Sequence, residues 1–410
     1  MQIVVIGAQW GDEGKGKIVD YLAEDADIVI RFSGGANAGH TIQTGGKTYK
    51  LHLIPSGIIH PEKISILGTG MVIDPQALFD ELTTLEEQGV DWKGRLWISD
   101  RAHLVLPSYK ALDKAMEARR AHPLGTTGRG IGVSYAMKAQ RDGLRFSELY
   151  SHSYDELSAE DKTFLEPFRP RLKELLIDLP SFMQEHKGKN KLFEGAQGVL
   201  LDLDLGTYPY VSSGMSAAAG ACFGGAIGPK YIDKVYGVFK AYSTRVGNGP
   251  FPSEFQTQRD GYLGDRIREL GREYGVTTGR PRRCGYLDLV ALRYACWTNS
   301  FDALVLTHPD VYDGFPEIKV CVAYEIDGQE TQIFPSSAEA LKKAKPILKS
   351  FEGWTKNLSE CTSYEELPSQ AKNYIQFIEE FTQTPVDIIS VGPHREQTFV
   401  RKEPWSKSSS

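Results

Sequence analysis

The sequence predicts an α/β protein with a P-loop-like, mostly parallel central sheet flanked by helices, carrying inserted helical and smaller subdomains. Three observations predict it. QIVVI (2–6) is a continuous β-branched run of the kind buried on both faces of a parallel sheet. A glycine-rich loop, a helical stretch KIVDYLAED (17–25) and a second apolar run, DIVIRF (27–32), come next, which is the order of a βαβ unit. Further apolar runs recur along the chain with no fixed-period repeat and no low-complexity linker, so a single large domain over 1–410 is expected.

The remaining elements follow in order. KISILGTGMVI (63–73) reads as a strand ending in glycines. DPQALFDELTTLEEQG (74–89) reads as a helix, with Asp74 as its cap and Pro75 at the first helical position. Residues 145–190 are polar, lack β-rich runs and read as a helical insertion packed on the surface. Later strands are expected at KLFEG (191–195), KVYGVFKAY (234–242), ALVLTH (303–308), EIKVCVAYEI (317–326) and DIISVG (387–392). SKSSS (406–410) reads as a frayed tail.

Composition narrows the function. The hydrophobic fraction of 41% and charged fraction of 24% are those of a globular protein. A net charge of −6 argues against a broad nucleic-acid footprint, although a local Arg/Lys cluster can still hold a small anion. The five cysteines, Cys222, Cys284, Cys296, Cys321 and Cys361, show no CxxC spacing and read as reduced thiols. No stretch resembles a signal peptide and no apolar run reaches membrane-helix length, so a cytoplasmic, membrane-free protein is expected.

The stretch GDEGKGK (11–17) carries the chemistry. Gly11-x4-Gly16-Lys17 has Walker A spacing, in which glycines let backbone N–H groups curve round phosphate oxygens at a helix start. The residue after Lys17 is Ile18, where Ser or Thr would ordinarily hold Mg²⁺. Asp12 is the nearest substitute: a carboxylate there can hold the metal, act as a base on a substrate, or do both. A purely structural glycine turn is the competing reading. A second patch, GGANAGHTI (34–42), directly follows the DIVIRF run. Loops at the carboxyl ends of neighbouring parallel strands meet in one crevice, so Asn37 and His40 are expected to face the first loop.

With these patches, the sequence resembles the adenylosuccinate synthetase family. The resemblance runs through WGDEGKGK (10–17), GGANAGHT (34–41), HLIPSG (52–57), GTTGRGIG (125–132), FEGAQG (193–198), GTYPYVSS (206–213), AYSTRVGNGPFPSE (241–254), TTGRPRRCGYLD (277–288) and ISVGP (389–393), and covers nearly the whole chain. It implies a ligase that joins IMP to L-aspartate while GTP goes to GDP and phosphate, with Mg²⁺, through a 6-phosphoryl-IMP intermediate. Asp12 would take the N1 proton of the purine, and His40 would steady the transferred phosphoryl group.

The same resemblance assigns further residues. Gly11, Glu13, Gly14, Lys15, Gly16 and Lys17 would surround GTP together with Gly39, His40 and Thr41. Arg282 would lie near the GTP phosphates, with His308, Asp310, Ser390 and Gly392 round the base. Asp12, Lys15, Asn37 and Ala38 would face IMP, as would Thr127, Gln197, Ser212 and Arg280. Arg141 would reach the IMP phosphate of the neighbouring subunit, which implies a homodimer. Val276, Thr277, Thr278 and Gly279 would hold aspartate with Arg280 and Arg282. Asp12 and Gly39 would be the metal ligands.

Four positions depart from the family pattern. Ser212 replaces a more usual Thr and keeps its hydroxyl; His308 and Pro309 stand where the family commonly has Lys and a variable residue; Leu205 stands where His is frequent. Asp310 can still accept from N1–H and N2–H of guanine, which favours GTP over ATP. Two other functions compete: a P-loop GTP-binding switch, which would need neither Asp12 nor the TTGRPRR loop, and a related synthetase acting on a guanine monophosphate, which would lack the carboxylate at Asp12.

Overall fold

The structure is a computed structural model and describes residues 1–275, 279 and 281–406. Its frame is a ten-stranded sheet. In chain order the strands are β1 (Gln2–Gly7), β2 (Ile28–Arg31), β3 (Ile64–Leu67), β4 (Leu96–Ser99), β5 (Leu176–Ile177), β6 (Lys191–Gly198), β7 (Lys234–Lys240), β8 (Ala303–Thr307), β9 (Val386–Ser390) and β10 (Thr398–Val400). Across the sheet they run β10-β9-β8-β7-β1-β6-β2-β3-β4-β5, all parallel except the β9–β10 edge pair. β1 lies near the centre, in register with β6 on one side and β7 on the other.

The alternation along β1 explains the sandwich. Ile3 and Val5 join an apolar cluster with Ile18, Val19 and Leu22 of helix α1 (Lys15–Ala23). Val4 and Ile6 point the other way, into the large cluster with Ile30, Phe193 and Phe239. Both faces are covered, as a parallel sheet requires. The carboxyl ends of β1, β2, β6, β7, β8 and β9 therefore open on one rim, the rim where an open α/β sheet binds ligands.

The expected helix at 74–89 is α2 (Pro75–Glu87), and Asp74 caps it by accepting from the Gln76 N–H at 3.1 Å. Two expectations are corrected. Residues 63–73 are not one strand: β3 stops at Leu67, and Val72–Ile73 pairs instead with His103–Leu104. The break has a steric cause, since a Cβ on Gly68 would sit 2.3 Å from the Gly224 carbonyl oxygen and one on Gly70 2.2 Å from that of Phe32. The 145–190 segment is largely helical but is more than a surface insertion. It supplies the edge strand β5, and Phe146, Leu149, Leu165 and Leu172 are buried with α2 and the hairpin His40–Leu51 in one core.

Strand 317–326 forms as expected but belongs to a separate four-stranded sheet. β4 and β10 have no counterpart among the sequence-based strands. All five cysteines are free. No helix among the described residues is long and apolar enough to cross a membrane. Residues 407–410 of the expected tail lie outside the described residues.

Candidate active site

The first loop leaves β1 at Gly7 and is shaped by left-handed residues at Gly11, Asp12 and Gly14 (φ 85°, 58° and 86°). Gly14 caps α1, so the helix starts at Lys15 with its free N–H groups facing the rim. Beneath the loop lies Glu13, fully buried: its Oε1 accepts from the Gly11 N–H at 2.8 Å and the Gln9 N–H at 3.2 Å, and its Oε2 holds Lys15 at 2.5 Å. The two carboxylates thus part company. Glu13 braces the turn from inside, and the Asp12 side chain looks out into a cleft of about 860 Å³. Thr307, at the end of β8, ties the loop down by donating to the Glu13 carbonyl at 2.7 Å.

The second loop meets the first at one point: a Cβ on Gly16 would lie 3.0 Å from the His40 Cβ. His40 bonds through Nδ1 to Glu194, which is fully buried within β6 and also accepts from the Ser56 N–H at 2.8 Å and hydroxyl at 3.1 Å. Burial opposes the charge on Glu194, but His40, the Ser56 N–H and Arg31 outweigh it and hold its carboxyl below the usual carboxylate range. Glu194 was not singled out by sequence reasoning. The available signal was an acidic residue inside the apolar strand KLFEG, which buries a carboxylate only if partners wait for it.

Asn37, Ala38, Gly39, His40 and Thr41 line the same cleft as Asp12, Gly14, Lys15 and Gly16. Thr127, Gln197 and Ser212 line it too. Gln197 sits between the two loops, 3.7 Å by its Cα from a Cβ built on Gly11 and 3.5 Å by its Oε1 from one on Gly34. Both amide atoms of Gln197 and the Ser212 hydroxyl are buried without a hydrogen-bond partner. Buried polar groups rarely stay unpaired, so these are the groups a ligand would satisfy.

Arg282 closes the cleft above Asp12. Its Nε is ion-paired with Asp12 Oδ2 at 2.9 Å, and its Nη1 donates to Glu273 Oε2 at 2.9 Å. Burial opposes the guanidinium charge, yet Asp12 and Glu273 more than offset it and push the pKa of Arg282 up. Gly279 is exposed with φ 63°. Val276, Thr277, Thr278 and Arg280, expected at aspartate or IMP, lie outside the described residues.

A separate corner gathers the residues expected at the base. His308 and Asp310 follow β8, Ser390 ends β9 beside it and Gly392 follows β9; the Ser390 carbonyl accepts from the His308 N–H at 3.2 Å. Asp310 Oδ1 is buried and unpartnered. His308 is packed against Tyr242 at 6.2 Å between ring centres, and burial and Lys240 push its pKa down. Lys17 differs from the expectation drawn from loop spacing. Its ammonium donates to the carbonyls of Gly392 (3.1 Å), Gln397 (3.2 Å) and Val391 (3.4 Å), away from the cleft that holds Asp12. The cause is the early helix start: Lys17 is the third residue of α1 and its side chain falls across the β9 loop. Burial lowers its pKa to about 8. Arg141 is exposed at the end of helix α3 (Ile131–Gln140), in a left-handed cap, and does not line this chain's own cleft.

For a metal, the cleft offers the Asp12 carboxylate and the backbone of Gly39. Among the described residues no group of three or more His, Cys, Asp or Glu could hold an ion by itself. Mg²⁺ is commonly bound by one or two carboxylates plus substrate phosphates and water, so the donor set fits a phosphate-borne Mg²⁺ and not a dedicated metal cage.

Comparison with known proteins identifies the family. The family model described as adenylosuccinate synthetase matches residues 4–166 and 152–399. Adenylosuccinate synthetases of Clostridium novyi and Clostridium perfringens are each 47% identical, over 97% and 98% of this chain and 98% and 99% of theirs. A fully ligated adenylosuccinate synthetase from Plasmodium falciparum superposes with a TM-score of 0.89 at 39% identity, covering 98% of this chain and 99% of that one. A cyanophage S-2L succinoaminodeoxyadenylate synthetase bound to dGMP and dATP matches with a TM-score of 0.65 at 21% identity over 98% and 95%, a likeness of fold alone. With matches that run nearly end to end, the chain belongs to the adenylosuccinate synthetase family, a family of GTP-dependent carbon–nitrogen ligases.

Proposed function

We propose that the cleft joins IMP to L-aspartate in two steps, with Asp12 as the base. Asp12 takes the proton from N1 of the hypoxanthine ring, and the freed electron density makes O6 a nucleophile. O6 bonds to the γ-phosphorus of GTP as the bond to the β–γ bridging oxygen breaks, giving GDP and 6-phosphoryl-IMP. The aspartate amine then bonds to C6 as the C6–O bond breaks and phosphate leaves. Phosphorylation turns a poor leaving oxygen into a good one, and the protein supplies mainly position and charge.

The observation that carries this reading is the meeting of Asp12 with Gln197 and Ser212 in one cleft. A P-loop switch has no use for unpaired amide and hydroxyl groups opposite its phosphate loop. The residues then divide. The helix start at Lys15 and Gly16 faces the phosphates, and His40, aimed by Glu194, steadies the transferred phosphoryl group. Asn37, Thr127, Gln197 and Ser212 hold IMP, Arg282 meets the aspartate, and Asp310 reads guanine. Asp12 and the Gly39 carbonyl would hold Mg²⁺, which would supply neutralisation of phosphate charge. Arg141, exposed outside its own cleft, serves the site of a second copy, so the working unit is a homodimer. The presence of Asp12 favours IMP over a guanine monophosphate, whose synthetases would lack that carboxylate.

The test mixes the protein with Mg²⁺, IMP and L-aspartate, with GTP or ATP in parallel, and follows the absorbance of adenylosuccinate. Product with GTP and much less with ATP is expected. GTP binding without product would favour the switch, and turnover only with a guanine monophosphate would favour the other synthetase.

A further inference from the structure

Arg282 is held from behind by a buried row of alternating charges. Its Nη1 donates to Glu273 Oε2 at 2.9 Å and its backbone N–H to the Glu273 carbonyl at 2.9 Å. The other carboxylate oxygen of Glu273 accepts from Lys240 Nζ at 2.6 Å and from the Tyr242 hydroxyl at 2.5 Å. Glu273, Lys240 and Tyr242 are buried, and Lys240 is the last residue of β7. The row Lys240–Glu273–Arg282–Asp12 therefore runs from the central sheet to the base in the cleft, and each charge has an opposite neighbour.

We propose that Glu273 is a positioning residue for the second step: it fixes Arg282 beside Asp12 so that the guanidinium meets the dicarboxylate substrate at C6 of the purine. This rests on the reading of Arg282 as an aspartate contact. The Nη1–H of Arg282 goes to Glu273 and its Nε side lies in an ion pair with Asp12, which sets the plane in which its remaining donors can pair with a carboxylate. An arginine held in advance also loses less rotamer freedom when the substrate binds. Retention of a buried ionic row for one specific geometry, where an apolar core would serve stability as well, fits such a role.

The test compares Glu273→Gln, Arg282→Leu and the double variant by KM for L-aspartate, IMP and GTP, with thermal unfolding as the fold check. Glu273→Gln is expected to raise the aspartate KM at least tenfold and to leave those for IMP and GTP within about threefold. In the double variant its effect should vanish, because Glu273 acts through Arg282. An unchanged aspartate KM in folded Glu273→Gln, a common rise in all three KM values, or full additivity would overturn the anchor. An unchanged aspartate KM in Arg282→Leu would instead overturn the aspartate role of Arg282, and the anchor with it. If Glu273→Gln does not fold, Tyr242→Phe removes a single donor from the same carboxylate and is judged by the same pattern, with a rise of at least threefold expected.

Discussion

Asp12 holds a backbone conformation (φ 58°) that costs most residues energy and that Asp tolerates better than larger side chains. That turn separates it from Glu13, so neighbouring carboxylates do opposite work: one is locked under the loop and the other faces the cleft, paired with Arg282. General-base assistance is typically about 10²–10⁴-fold. Asp12→Asn should therefore lower kcat by at least about 10²-fold with an unchanged melting temperature; near-normal turnover in the folded variant would remove Asp12 as the base. Glu194 works one residue back from the chemistry. Partners that orient a functional histidine typically matter by about 10–100-fold, so Glu194→Gln should lower kcat on that scale with little change in the KM for IMP. An equal loss on both would point to a collapsed loop.

At the scale of elements, the strand ends decide the site. β1, β2 and β6 deliver Asp12, His40 with Asn37, and Glu194 with Gln197, while β8 and β9 deliver Asp310 and Ser390. Lys17 straps the two groups together by tying α1 to the loop after β9. β7 supplies the anchor of the Arg282 row, and this row has a pH signature. Burial works against the Glu273 carboxylate, but Lys240 and its hydrogen bond, with Tyr242, hold its pKa down to about 2, below the ordinary 4.5. A folded pKa below the unfolded one means that the stabilisation is complete above about pH 4.5 and is lost as pH falls from there toward 2. The melting temperature of the wild type should fall more steeply across that window than that of Glu273→Gln; parallel curves would remove Glu273 as a source of acid sensitivity.

At the scale of the whole molecule, the proposed role of the exposed Arg141 in the site of a second copy has a direct test. Arg141→Leu and Asp12→Asn should each be inactive in IMP turnover, and mixing them should restore activity, because a mixed dimer carries one site with both residues intact. With random exchange of a symmetric dimer the recovery is roughly a quarter of wild type. No recovery after verified subunit exchange would assign Arg141 to its own chain's surface.

Much of this was legible in the sequence. β1, α1, β2, α2 and the later strands follow from apolar runs, caps and glycine breaks, all set by near neighbours along the chain. The phosphate-type loop and its partner loop were legible because strand order alone puts their ends on one rim. Residues whose role depends on distant partners were not. Glu194, Glu273 and Lys240 are ordinary charges in the sequence and become parts of the site only where the fold buries Glu194 against His40, and Lys240 with Glu273 behind Arg282. Lys17 matches a phosphate-loop spacing yet turns to the β9 loop, because the helix begins at Lys15. β5 hides inside a polar helical segment, since a two-residue edge strand leaves almost no periodicity to read. The sequence by itself determined the fold class and the family, because those rest on local patterns and motif order. Only the tertiary structure decided which charges pair, because burial and long-range proximity set the strength of an ionic contact and neither is written in the order of residues.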